Sequence, residues 1–260
     1  MIDIQSHFRN IYCPPLSTPI ETTAYLLKAS DSNPVFAQNL YQPMIGSLMN
    51  LMTCTRPCLA LSVSYLPRCS SYHLEFHHTA VKRRSRDLGG THSMSLVDKS
   101  SPTAVFLSIV IFSDSHYSCC YNTHHSVSGN PVMCYGSLIC WLCNQQQSVA
   151  CSAIEARYMS IATTSRHFVW YPNIFKHLTH TIPITIIVDD ACRINVAANA
   201  IYNSHTAHHD VANQFTSEHR MHKSFTLSDG LSDYNTADLM HKGYYLVTNH
   251  PYSQRLTSSS

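Results

Sequence analysis

The sequence predicts a mixed α/β fold, a sheet flanked by helices and preceded by a mainly helical segment. Three observations carry this. A β-branched run, "TIPITIIV" (181–188), hands over to alanines and polar residues at helical spacing. An apolar strand, "AVFLSIVIF" (104–112), opens the second part of the chain. From there strands come first and then alternate with helices.

The elements follow in order. Residues 1–35, with "CPPLSTPI" and "DSNP", read as a Pro-punctuated, poorly structured lead. "YQPMIGSLMNLMTCTRPCLALSVSYL" (41–66) has apolar residues at helical spacing, interrupted at "TRP", and predicts two helices with a break. His73 to Leu88 predicts a third helix, ended by Gly89-Gly90 and carrying the basic run Lys82, Arg83, Arg84 and Arg86. These make a first region, 1–100. The second region, 101–250, begins with the strand ending in Ser113-Asp114. "SVSGNPVMCYGSLICWL" predicts a hairpin turning at Gly129-Asn130-Pro131, with a second weak point at Gly136. "SAIEARYMSIATTSRHFVW" predicts a helix with Ile154, Tyr158, Ile161 and Ser165 on one face. Then come the strand 184–188, helices through about 199 and around 206–219, a short strand "KSFTLS", and a last helix from about Asn235. Residues 251–260 read as a disordered tail. No internal repeat is visible.

Composition bounds the function. Lys+Arg is 17 against 15 Asp+Glu, so no strong field advertises nucleic acid or a membrane. Charged residues are only 12% of the chain, about half the usual share of roughly 25%. Glutamate is confined to Glu21, Glu75, Glu155 and Glu218, while histidine reaches 18. Eleven irregularly spaced cysteines, without an apolar N-terminal segment, argue for reduced thiols and an intracellular, non-secreted protein. The longest apolar run is far short of the roughly 20 residues that span a bilayer, so no membrane partner is expected.

Three aspartates stand out. Asp114 ends one strand, Asp189 follows another, and Asp238 opens the last helix in "NTADLM". Carboxylates so placed can converge at a sheet edge, where hard oxygen ligands suit Mg²⁺. Asp190 and Asp238 equally fit ordinary helix N-caps, worth about 1 kcal/mol.

The chain resembles the copia-type retrotransposon polyproteins. "FSDSHYS" (112–118), "ICWLCNQQQSVACSAIEARYMSIA" (139–162), "ITIIVDDACRINVA" (184–197), "HTAHHDVANQFTSE" (205–218) and "NTADLMHKG" (235–243) occur in that family's order and look like its ribonuclease H domain. Upstream, "YQPMIGSLMNLMTCTRPCLALSVSYL" and "AVKRRSRDLGGT" are similar to the tail of its reverse transcriptase. The resemblance spans roughly residues 35 to 245. It implies an RNase H-like fold that cuts the RNA strand of RNA–DNA hybrids with two Mg²⁺ ions, the metal ligands and catalytic residues being Asp114, Asp189 and Asp238. Asp190 stands where the family usually has Asn. "IVDD" mimics the polymerase Asp-Asp hairpin, but a helix is expected after it rather than a strand, so polymerase activity is not expected.

The pattern breaks at the glutamate. In the family it lies two residues before a Met on the helix; here "EARYM" puts Arg157 there. Glu155 sits two residues away, about 200° around the helix, and is no substitute. A cation for an anion turns a ligand into a repellent: at about 4 Å and an effective dielectric near 20, each unit-charge pair is worth about 4 kcal/mol before relaxation. Arg84, Ser85 and Asp87 stand where the family's helix is apolar. Pro172 falls within a helix, Cys58 replaces an Asp after "TRP", and His116 and Tyr117 replace Asp and Trp. Substitutions spread over core, surface and site point to a decayed, inactive remnant.

Two other classes compete. A zinc module could draw on "CWLC" (140–143), Cys119-Cys120, His124-His125 and "HTAHH", although one Cys-x-x-Cys without a partner pair is weak. A non-catalytic nucleic-acid binder could use Lys82, Arg83, Arg84 and Arg86 on phosphates.

Overall fold

The computed structural model describes residues 38–70, 74–90, 94–96, 109–120, 122–134, 136–168, 170–171, 174, 183–188, 225–229, 236–237, 240 and 257–259. The chain divides into two units, Met1–Val97 with Tyr121–Thr123 and Lys242–Ser260, and Asp98–Cys120 with His124–His241.

The first unit is helical. α1 (Gln38–Cys54) buries Tyr41, Met44, Ile45 and Leu48, a stripe at i, i+3, i+4 and i+7. The helix stops before Pro57. Arg56 leaves the helical region (φ −129°, ψ 72°), which a following proline disfavours. A 3₁₀ turn (Pro57–Leu59) leads into α2 (Ala60–Ser64), so the break expected at "TRP" is present. A second 3₁₀ turn, Leu66–Cys69, receives the Tyr41 hydroxyl, which donates to the Leu66 carbonyl at 3.1 Å. α3 (Glu75–Gly90) runs to the glycine pair and contributes Val81 and Leu88 to the core with Leu59, Val63 and Leu66. β1 (Met94–Leu96) pairs antiparallel with β8 (Thr257–Ser259). That corrects the fully disordered tail expected from residue 251. Backbone pairing, which a polar Thr-Ser stretch does not advertise, orders these three residues.

The second unit is a six-stranded mixed sheet. β2 (Ile109–Phe112), β3 (Asp114–His116), β4 (Val127–Cys134) and β5 (Ser137–Gln145) form its antiparallel part; β6 (Ile184–Val188) and β7 (Thr226–Asp229) add parallel strands beyond β2. The strands 109–112 and 184–188 are parallel neighbours. α4 (Ala153–Phe168) packs on this sheet, with Tyr158, Ile161 and Phe168 against Ile109, Ile111, Val132, Ile184, Ile186 and Val188.

Two sequence expectations change. Gly129-Asn130-Pro131 lies inside β4, and the hairpin turns between Cys134 and Ser137, where Gly136 holds φ +81°. Left-handed geometry suits the glycine. Pro131, which has no N–H to donate, faces the gap between β2 and β3. β2 pairs β4 up to Ile111↔Val132 and β3 resumes at Asp114↔Gly129, in one unbroken register. The other change is on α4. Tyr158, Ile161 and Ser165 are buried as expected, but Ile154 is exposed in the first turn. The helices expected between residues 189 and 219, and Pro172, lie outside the described residues.

Candidate active site

Asp114 stands where the sheet forks. Ser113 leaves β4 and donates its N–H to the Ile187 carbonyl of β6 at 3.0 Å; one residue later the chain is back on β4 as β3. Parallel β2 and β6 end on the same side, and a crevice outside such carboxyl ends is where open α/β sheets place ligands. Asp114 is buried, with its Oδ1 accepting from the Ser115 N–H at 2.8 Å.

The same oxygen accepts from Arg157 Nε at 3.1 Å. α4 makes this possible through its spacing. Arg157, Ser160 and Thr164 share a stripe at i, i+3 and i+7 against β3, β4 and Ser113. The Ser160 hydroxyl donates to the Asp114 carbonyl at 3.0 Å. Arg157, where the resemblance calls for a glutamate, is thus ion-paired to Asp114.

Below lies a buried polar cluster that sequence reasoning missed. Asn130 Nδ2 donates toward Ser113 Oγ (3.0 Å), Ser160 Oγ (3.1 Å) and Thr164 Oγ1 (2.5 Å), and Thr164 Oγ1 donates to the Ser160 carbonyl at 2.8 Å. It ties β4, the fork and α4 together. The available signal was Ser160 and Thr164, polar at i, i+4 on the helix's buried face. Glu155 has a capping role. Ser152 Oγ accepts from the Glu155 N–H at 3.1 Å, and Glu155 Oε2 accepts from the Cys151 N–H at 2.6 Å. "SAIE" is a capping-box signature that was legible.

Asp189 and Asp238 lie outside the described residues. Their described neighbours are informative. Val188 closes β6. Asp114, Gly129 and Cys143 form one row across β3, β4 and β5, on one face of the sheet. The Cys143 thiol donates to the Met240 carbonyl at 3.0 Å, which brings Met240 to that same face.

The basic run is divided by burial. Lys82 is exposed, Arg83 and Arg86 are half-buried, and Arg84 is buried at 5 % exposure. A buried guanidinium does not present itself to phosphates, so Arg84 leaves the expected binding set. Its Nε and Nη1 have no hydrogen-bond partner, and burial pulls its pKa down to about 9 against the raising effect of Asp87. Asp87 is pushed up to about 6 by burial, against Arg84, Arg56 and Arg83. Ser85 and these two charges occupy buried positions on α3, where the resemblance calls for apolar residues.

No three His, Cys, Asp or Glu side chains come together as a metal-ligand set among the described residues. Cys140 and Cys143, three apart on β5, fall on opposite faces. His125 Nδ1 lies 2.6 Å from the Gln146 carbonyl. "HTAHH" is outside the described residues.

The chain is 26% identical over 234 residues to the retrovirus-related Pol polyprotein from transposon TNT 1-94 of Nicotiana tabacum, an alignment covering 88% of this chain and 17% of that protein. It is 27% identical over 223 residues to the corresponding polyprotein from transposon RE2 of Arabidopsis thaliana, covering 83% and 15%. Its relatives are retrovirus-related Pol polyproteins of plant transposons, consistent with a copia-type Pol fragment. It spans less than a fifth of the length of these Pol relatives. A 31% identity over 130 residues to the secreted RxLR effector protein 161 of Plasmopara viticola covers 50% of this chain and 89% of that protein. No family model matches. An RNase H1 isolated from compost by a metagenomic approach superimposes with a TM-score of 0.40 at 9% identity, covering 51% of this chain and 91% of that one, a likeness too distant to carry an argument. The α/β fold class rests on the sheet itself: four antiparallel strands, β2 to β5, with two parallel strands, β6 and β7, beyond β2. Among the described residues, no helix is long and apolar enough to cross a membrane.

Proposed function

We propose that the second unit descends from a nuclease that cut the RNA strand of RNA–DNA hybrids inside the cell, and that this chain is catalytically impaired. The observation that carries the proposal is the Arg157–Asp114 ion pair. Such nucleases use Mg²⁺, and the residues present do not fit it. Mg²⁺ demands near-octahedral oxygen ligation, whereas Asp114 Oδ1 is engaged by a guanidinium and a backbone N–H. Buried charges in α3 add to the picture of a sequence no longer maintained for activity.

The test is cleavage of an RNA–DNA hybrid in Mg²⁺ by the wild-type chain and by Arg157→Glu, with folding checked for both. No turnover by the wild type, with partial recovery in Arg157→Glu, is the expected result. Robust wild-type cleavage, abolished by Asp114→Asn, would refute it. Hybrid binding that falls steeply with salt, without cleavage, would identify a non-catalytic binder working through Lys82, Arg83 and Arg86.

A further inference from the structure

We propose that the Arg157 guanidinium is the resident cation of this site, standing in for a divalent metal against Asp114, so that the fold neither needs Mg²⁺ nor gains from it. The inference rests on reading Asp114 as a former metal-ligand position, and it extends that reading from activity to folding.

A buried carboxylate must be neutralised or paired. The Asp114 side chain is 6 % exposed, and the Arg157 side chain, 30 % exposed, reaches it from the helix side. The arginine does not swing freely. One turn along α4, Ser160 donates to the Asp114 carbonyl, so helix and strand are joined at two points one turn apart. Asn130 fixes Ser160 from below. A guanidinium held this way supplies the positive charge that a buried carboxylate otherwise takes from solution, and it does so at any ion concentration. It also blocks the metal, because any ion approaching Asp114 Oδ1 meets a fixed cation. Losing the glutamate and losing the metal requirement are then one event: the substitution that removed a ligand installed a counter-ion.

The experiment is thermal unfolding of the full chain in chelator, in millimolar Mg²⁺, and in sodium chloride of matched ionic strength, followed by circular dichroism. The wild type should melt at the same temperature in all three. Arg157→Gln, which keeps a polar side chain but not the charge, should melt several degrees lower in chelator and recover toward the wild type in Mg²⁺ but not in sodium chloride. A wild-type midpoint that rises with Mg²⁺, or an Arg157→Gln variant that melts like the wild type in chelator, overturns the proposal. A variant that melts low without Mg²⁺ recovery also overturns it, because the pair is then structural and not at a metal position. If Arg157→Gln does not fold in chelator, the neutral pair Asp114→Asn with Arg157→Gln should fold and ignore Mg²⁺; failure of that variant to fold counts against the proposal. Because cleavage is not the readout, an active wild type refutes the nuclease reading above, while a Mg²⁺-dependent melting point refutes the counter-ion.

Discussion

Asp87 provides a test of how the helical unit tolerates its buried charges. Its pKa is raised from 3.8 to about 6, burial outweighing the attraction of Arg84, Arg56 and Arg83. A carboxyl whose folded pKa is raised favours folding below its unfolded value. That contribution is lost as pH climbs through the folded one. The stability Asp87 contributes is therefore complete below about pH 4 and gone above about pH 6. Each pKa step is worth 1.36 kcal/mol, so the ionised side chain costs on the order of 3 kcal/mol at neutral pH, an upper bound given relaxation. Asp87→Asn keeps the shape and removes the charge. Equilibrium urea unfolding at pH 8 should show it more stable than the wild type by about 1–3 kcal/mol. The difference should shrink to near zero by about pH 4, where both side chains are neutral. Comparing the two chains cancels the titration of the 18 histidines common to both. A variant less stable than the wild type at pH 8, with a deficit that grows with pH, would show that the arginine pairings outweigh burial and would refute the reasoning.

Two further outcomes follow from the sheet. Asn130→Ala removes the donor shared by Ser113, Ser160 and Thr164 and leaves a buried gap, so urea unfolding should register a loss of about 2–4 kcal/mol. Ser115→Ala should be neutral or stabilising by about 1 kcal/mol in the same assay, because the Ser115 hydroxyl is buried without a hydrogen-bond partner.

Much of the architecture was legible because it was written in patterns with a period. The break at "TRP", the helix ending in two glycines, the strand 184–188 and its neighbour before Asp114 all follow from apolar spacing and backbone chemistry. Asn130 misled for a physical reason. Gly-Asn-Pro is strong turn chemistry locally, and here long-range pairing to β2, β3 and β5 overrides it, with Pro131 accommodated at the gap between two strand segments. Arg84 misled because a run of like charges usually marks a solvated face, whereas α3 turns this member inward. At the site, the motif order pointed to Asp114 and to residue 157 separately. Their direct contact needed three dimensions, since 43 residues separate them.

The fork at Ser113 also bears on how the chain would assemble. On one side of it, β4 and β5 are joined by a two-residue link and can zip early from a local nucleus. On the other, β6 and β7 attach to the antiparallel strands through β2, whose pairing with β6 closes a loop of about 70 residues. Loop closure over that length comes late. The parallel strands should thus behave as one detachable leaf. In native-state hydrogen exchange, amides of β6 and β7 should open together, ahead of those shared by β4 and β5. A damaged gene that loses its distal half would keep the hairpin and forfeit the leaf, leaving Ile109 and Ile111 facing water where Ile184 and Ile186 once covered them.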